Sequence, residues 1–386
     1  MTDISLSQGF LVEGNGTVVG SGQACSFAGD VNGDGMDDFV VSTNMVNRGA
    51  MVDPVFSGDT HVVFGTTDGF PPTLNLSDLD GTNGFTVTGG SSTDFLGRSL
   101  GAGDVNGDGL SDVIIGAPRA TPEVYLLGRT YVVFGSTNGF EASLDVSTLD
   151  GSNGFSLSGE MYSSAGVSVS AADFTGDGVD DILVGADTIR VFGTGGAGRF
   201  AGSAFVVFGR SEGFPANVNL FEMTDEEGHR FFGQQHYSFL GHSVRVAGDV
   251  NDDGIQDIII GAHLDSPYGD TSNKFGAGTT YVVFGTNATF PALNELNGTN
   301  GLVLNGGSGL DFTGYSVSGA GDVNNDGVDD VMVTEVGQYN GGPDKVHVVF
   351  GSAGAFPSAL NLDSLTGNNG FTLEADEVAE ETYGFS

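Results

Sequence analysis

The stretch DVNGDGMDD at residues 30–38 returns four times: DVNGDGLSD at 104–112, DFTGDGVDD at 173–181, DVNDDGIQD at 249–257 and DVNNDGVDD at 322–330. The spacings are 74, 69, 76 and 73 residues, and self-similarity at a fixed period sets architecture more firmly than local propensity does. Two other markers keep the same phase. VVFG stands at 62–65, 132–135, 206–209, 282–285 and 348–351, and a Gly-Phe strand opening recurs as GFLVEG (9–14), GFTVTG (84–89), GFSLSG (154–159), GLVLNG (301–306) and GFTLEA (370–375).

Within one period, short apolar runs bounded by Gly, Asn and Asp read as four strands. In the second unit these are Gly97–Gly103, Asp112–Ala117, Thr130–Phe134 and Gly154–Ser158, with the acidic segment in the hairpin between the first two. A four-stranded sheet of this size cannot bury both faces alone, so copies must pack face to face. Radial packing gives a β-propeller, which leaves only short edges. The expected fold is therefore all-β: one propeller domain over 1–386, with four-stranded blades at about 20–89, 95–159, 164–233, 240–306 and 313–374. Residues 375–386 open a further repeat, since the closing ETYGFS resembles the first-strand sequence FTGYSVSG at 312–319. GFLVEG matches the outer strand of a blade whose first three strands are missing. Two arrangements stay open: a piece of a longer array, such as a six- or seven-bladed ring, and a closed five-bladed ring.

Composition narrows the function. The 66 glycines among 386 residues, with ten prolines and no triplet period, exceed the usual share of about 7% and suit a chain that turns often. Fifty acidic against eleven basic residues give a formal charge of −39, which repels phosphate backbones and anionic lipid and attracts cations. Nucleic acid and membrane insertion are excluded as partners on this ground. The single Cys25 permits no intrachain disulfide, and calcium is the expected substitute. The N-terminus shows neither the basic start nor the apolar stretch of a signal peptide. Acidity without disulfides still suits an extracellular or cell-surface protein, or the cytosol of a salt-adapted cell.

Each acidic loop reads D-x-[DNT]-x-D-G-x-x-D, placing oxygen donors at positions 1, 3, 5 and 9 and a glycine at 6 for the sharp turn. The expected side-chain ligands are Asp30, Asn32, Asp34 and Asp38; Asp104, Asn106, Asp108 and Asp112; Asp173, Thr175, Asp177 and Asp181; Asp249, Asn251, Asp253 and Asp257; and Asp322, Asn324, Asp326 and Asp330. Met36, Leu110, Val179, Ile255 and Val328 would add backbone oxygens. Helix–loop–helix calcium sites close with a glutamate at position 12. Here that position falls in an apolar run, so the ninth Asp must close the site. Hard oxygen donors in this number favour Ca²⁺ over Mg²⁺ or zinc; the alternative is a set of ion-free Asp/Asn-Gly turns.

These residues resemble the FG-GAP repeats of the integrin α-subunit N-terminal propeller and its bacterial relatives. The pair Phe134-Gly135 and the triplet Gly116-Ala117-Pro118 carry the resemblance, which covers about residues 10–386. The triplet is replaced by Ser42-Thr43-Asn44, Gly185-Ala186-Asp187, Gly261-Ala262-His263 and Thr334-Glu335-Val336 in the other units. The resemblance implies a propeller, usually of seven blades, with calcium loops in some of them.

The loops joining the second and third strands lie at the opposite end of each blade from the acidic loops. These windows, 43–60, 117–129, 186–203, 262–279 and 335–345, hold seven of the eleven Lys/Arg residues: Arg48, Arg119, Arg129, Arg190, Arg199, Lys274 and Lys345. Each also carries an aromatic residue, such as Phe56, Tyr125 or Tyr268. Arg with aromatics on exposed loops is the composition of interface hot spots, so this rim is the expected ligand face. The alternative is that cations collect there only because the acidic rim excludes them.

No G-x-S-x-G elbow, H-E-x-x-H helix, P-loop or paired zinc cysteines are present. His61 and His347 fall in a strand column just before VVFG, whereas His229, His236, His242 and His263 gather in the fourth unit near Asp265. Cys25 aligns with Val244 and Val317 and is expected in the core. The resulting expectation is a non-enzymatic, calcium-binding extracellular propeller that binds a protein or glycan. The alternatives are a non-catalytic propeller of a larger secreted hydrolase, or a hydrolase in its own right.

Overall fold

The computed structural model describes residues 9–14, 18–46, 58–89, 94–120, 127–188, 190–191, 199–267, 276–337 and 342–375. They form an all-β chain whose five larger sheets each hold four antiparallel strands drawn from one period, as propeller blades of repeats do. The second sheet is typical. Ser99–Gly103 pairs with Asp112–Ala117, that strand with Arg129–Val133, and the last with Gly154–Ser158. The period-2 alternation of its strands sends Val113 and Ile115 to one face and Ile114 to the other, and all three are fully buried. Both faces are therefore apolar, as a sheet stacked between two others requires.

In three of the sheets a fifth strand, unforeseen from the sequence, links a period to the one before. Ser143–Asp145 joins the outer strand Gly84–Thr88 of the first sheet in parallel, Asn217–Asn219 joins Gly154–Ser158, and Ala359–Asn361 joins Gly301–Asn305. Aromatic rings reinforce the same link. Phe85 stacks on Phe140 at 4.2 Å and Phe155 on Phe214 at 4.1 Å, each pair within 6° of parallel. Leu11–Glu13, from GFLVEG, pairs in parallel with Thr73–Asn75, and Phe10 stacks on Phe70 at 4.2 Å. GFLVEG is thus placed as the outer strand that its sequence resembles.

The chain divides into two compact units, residues 1–173, 177–190 and 205–230, and residues 174–176, 191–204 and 231–386. In the first, Val40, Val62 and Phe85 of one sheet pack on Val113, Ile115 and Val133 of the next, and Ile114, Val132 and Phe155 pack on Ile182, Val184 and Val207. In the second, Ile259, Val282 and Leu302 meet Val317, Val331 and Val333 in the same way. Cys25 departs from its expected place: it is exposed. Its column partners Leu100, Val169 and Val317 are at most 7% exposed because another sheet packs on each of them; among the described residues no sheet lies over Cys25.

Candidate metal centre

Each acidic loop folds around its first aspartate. In the first loop Asp30 accepts hydrogen bonds from the backbone N–H groups of Gly33 (2.7 Å), Asp34 (3.1 Å) and Gly35 (2.8 Å). The fifth residue, Asp34, accepts from Met36 N–H at 2.9 Å. The second loop repeats this with Asp108 and Gly109 donating to Asp104 and Leu110 to Asp108. The third does so with Asp177 and Gly178 on Asp173, the fourth with Asp253 and Gly254 on Asp249, and the fifth with Asp326 and Gly327 on Asp322. Two backbone positions make this wrap possible. Position 6 is glycine throughout, with φ +84° at Gly35 and +94° at Gly327, and position 4 is also left-handed, filled by Gly33, Gly107, Gly176, Asp252 and Asn325. These are the residue types that tolerate positive φ. The restriction at position 4 is visible in the sequence as a Gly/Asp/Asn column.

The ninth aspartate is different in kind. Asp112 is fully buried; one carboxylate oxygen accepts from Val105 N–H at 3.0 Å and the other from Gly135 N–H at 2.9 Å. Asp38, Asp257 and Asp330 make the same pair of bonds, to Val31 and Gly65, Val250 and Gly285, and Val323 and Gly351, and Asp181 bonds to Gly209. The last glycine of VVFG is therefore the partner of the acidic loop. It has to be glycine: a Cβ at Gly135 would lie 2.8 Å from the Ser111 carbonyl, and one at Gly209 2.3 Å from that of Asp180. The residue ahead of the ninth aspartate ties neighbouring loops together. Ser111 N–H donates to Asp30 O, Asp180 N–H to Asp104 O and Asp329 N–H to Asp249 O. The side chains of Asp180 and Asp329 return the contact by accepting from Asp104 N–H and Asp249 N–H. Sequence reasoning overlooked this residue, which varies among Asp, Ser and Gln.

Burial dominates the electrostatics. It pushes Asp112 and Asp257 up to about 8 and Asp38 up to about 6, with the like charges of Asp104 and Asp108 adding to the effect at Asp112. Every donor is a hard oxygen, and a buried carboxylate in each loop has other carboxylates for neighbours. That donor set fits a hard divalent cation. Among the described residues no three Asp, Glu, His or Cys side chains converge into a closed cage. The first and fifth carboxylates are turned onto backbone N–H groups instead.

The opposite rim is described only in part. Arg48 and Lys274 lie outside the described residues, and Arg190 and Arg199 are placed by backbone alone. Arg119 is exposed, its guanidinium 4.6 Å from the centre of the Phe95 ring. Arg129 is half-buried, and Lys345 is bonded to Glu335 at 2.7 Å. His61 and His347 are strand residues whose Nδ1 atoms lie 2.9 Å from Thr86 and Thr372. His242 and His263 come together, ring centres 4.6 Å apart, with Tyr315 against both. Burial pushes His263 down to about 3, so it is neutral at ordinary pH. Asp265 accepts from Tyr281 OH at 3.2 Å.

The FG-GAP repeat model matches residues 96–133 and 165–201. Integrin α-V of Gallus gallus is 28% identical over 250 residues, 63% of this chain and 20% of that protein. Integrin α pat-2 of Caenorhabditis elegans is 29% identical over 253 residues, 62% of this chain and 18% of that protein. Phosphatidylinositol-glycan-specific phospholipase D of Bos taurus is 28% identical over 238 residues, 60% of this chain and 25% of the enzyme. The chain thus spans a quarter or less of the length of these relatives. The chain carries FG-GAP repeats and is distantly homologous to the FG-GAP regions of integrin α subunits and of phosphatidylinositol-glycan-specific phospholipase D.

Proposed function

We propose that the chain is an extracellular binding module: a propeller stiffened by Ca²⁺ in its five acidic loops that presents the opposite rim to a protein or glycan. The observation that carries this reading is the bond between the ninth aspartate and the VVFG glycine, which makes each loop part of the strand framework. A cation there would act on rigidity, and FG-GAP repeats often bind Ca²⁺. Recognition then falls to the other rim, where Arg119 stands exposed over Phe95. Rigid scaffolds with variable loops are where binding residues concentrate. Within each loop the side chains at positions 1, 3, 5 and 9 and the carbonyl at position 7 are the proposed ligands. The integrin relatives favour adhesion. Replacing Arg119, Arg199 and Lys274 together by Ser is expected to abolish adhesion to a protein- or glycan-coated surface while leaving the melting temperature unchanged; equal adhesion would remove the ligand face.

A second reading is favoured by the phospholipase relative: a non-catalytic propeller belonging to a hydrolase. A screen for phospholipase D, esterase and glycosidase activity separates the two from a third, in which this chain is itself the enzyme. Activity in the purified chain would establish the third.

A further inference from the structure

The fourth period departs from the others at two places on the end of its sheet away from the acidic loop. His263 stands where the second period has Pro118, the third Asp187 and the fifth Val336, and His242 stands where they have Arg98, Val167 and Tyr315. Strand pairing brings the two together: Gly241 N–H donates to the Gly261 carbonyl at 3.0 Å and Gly261 N–H to the Ser243 carbonyl at 2.8 Å. The imidazole centres are 4.6 Å apart with their planes at 57°, and the Tyr315 ring lies 5.0 and 5.3 Å from them. All three residues belong to one compact unit. His263 is 8% exposed, and its Nδ1 is buried with no hydrogen-bond partner among the described residues. A polar atom kept from water without a partner is costly, and the rings of Phe239 and Phe312, 5.7 and 6.3 Å away, offer none. Burial, with the neighbouring His242, holds His263 down at about 3. At ordinary pH its imidazole is therefore neutral, the form that a metal ion requires.

We propose that His242 and His263 together bind a borderline transition ion, Cu²⁺ ahead of Zn²⁺, at a site separate from the acidic loops. Imidazole suits these ions, whereas all-oxygen loops suit calcium. Two nitrogens at about 2.0–2.1 Å from one tetrahedral ion lie about 3.3 Å from each other, a separation within reach of rings whose centres are 4.6 Å apart. The ion gives the buried Nδ1 the partner that the fold withholds. With two protein ligands it keeps positions for water or an outside donor, and the formal charge of −39 favours the approach of a cation. The site stands whether or not the loops hold calcium or the rim binds a ligand.

Isothermal titration of the untagged 386-residue chain with Cu²⁺ and with Zn²⁺, in millimolar calcium so that the acidic loops do not compete, tests the proposal. One site per chain is expected, tighter for Cu²⁺ than for Zn²⁺ as the order of divalent affinities requires, and the paramagnetic resonance spectrum of the copper form should show splitting by two nitrogens. His242→Val and His263→Val place at these positions the residues that the third and fifth periods hold there. Each is expected to weaken the site by about tenfold or more, since loss of a partner that merely orients a metal ligand already costs about 10–100-fold. Replacing the exposed His236 by Gln should leave binding unchanged. Should His263→Val fail to fold, His242→Val, at a half-buried position, decides alone. A chain that takes up neither ion, a site that survives the valine substitutions, or one lost in His236→Gln instead would overturn the proposal.

Discussion

Chelation of divalent cations is expected to lower the melting temperature by on the order of 10 °C or more. A ligand that binds only the folded state stabilises it by mass action, and one site at a hundredfold excess over its Kd contributes about 2.7 kcal/mol. In domains of 150–250 residues each kcal/mol moves Tm by about 2–4 °C, so two occupied loops already suffice. The effect carries a pH signature. Burial raises the folded-state pKa of Asp112 and Asp257 to about 8, above an unfolded value of about 3.9. Their contribution is therefore fully present below the unfolded value and is lost as pH rises through about 8. In EDTA, Tm should fall steadily from pH 5 to pH 8. With millimolar calcium the charged carboxylates have a counter-ion and the decline should flatten, so the gap between the two curves widens with pH. Calorimetry on matched samples measures both. A melting curve that EDTA leaves unchanged at low ionic strength would show that the loops are ion-free turns.

The fold was legible where a residue's role is set within its own period. Asp112–Ala117 and Gly154–Ser158 are strands with the bounds their sequences imply, because apolar alternation and flanking Gly and Asp act locally. The parallel strand Ser143–Asp145 escaped notice because S-L-D has no alternation to detect; it is held by the outer strand of the preceding sheet. Cys25 shows the same limit from the other side. Its column is apolar in each repeat, yet burial there depends on a neighbouring sheet, and among the described residues none lies on its own face. In the loops the acidic pattern announced oxygen donors, but not that the ninth carboxylate spans two backbone N–H groups and reaches VVFG. That contact joins residues 23 positions apart; two markers in phase hint at it, and only pairing of the strands brings them together.

This double role separates the positions within a loop and gives the second large effect. Asp112→Ala is expected to cost at least about 1–3 kcal/mol in EDTA, and more in calcium because its loop loses a ligand as well, since it leaves the buried Gly135 N–H without an acceptor and Val105 N–H with only the Gly103 carbonyl at 3.1 Å. Asp108→Asn should behave differently. Asp108 is exposed and its main contact accepts from Leu110 N–H at 2.9 Å, a bond that the amide oxygen of Asn can keep. In EDTA that variant should unfold within about 0.5 kcal/mol of wild type, as surface substitutions usually do. In calcium it should lose the increment of one loop, and isothermal titration should count one site fewer or one much weaker. If Asp112→Ala is as stable as wild type in EDTA, the ninth aspartate is not a framework residue. If Asp108→Asn takes up calcium as wild type does, the fifth position is no ligand. The two substitutions fail independently, so the framework role and the cation role of one loop are tested apart.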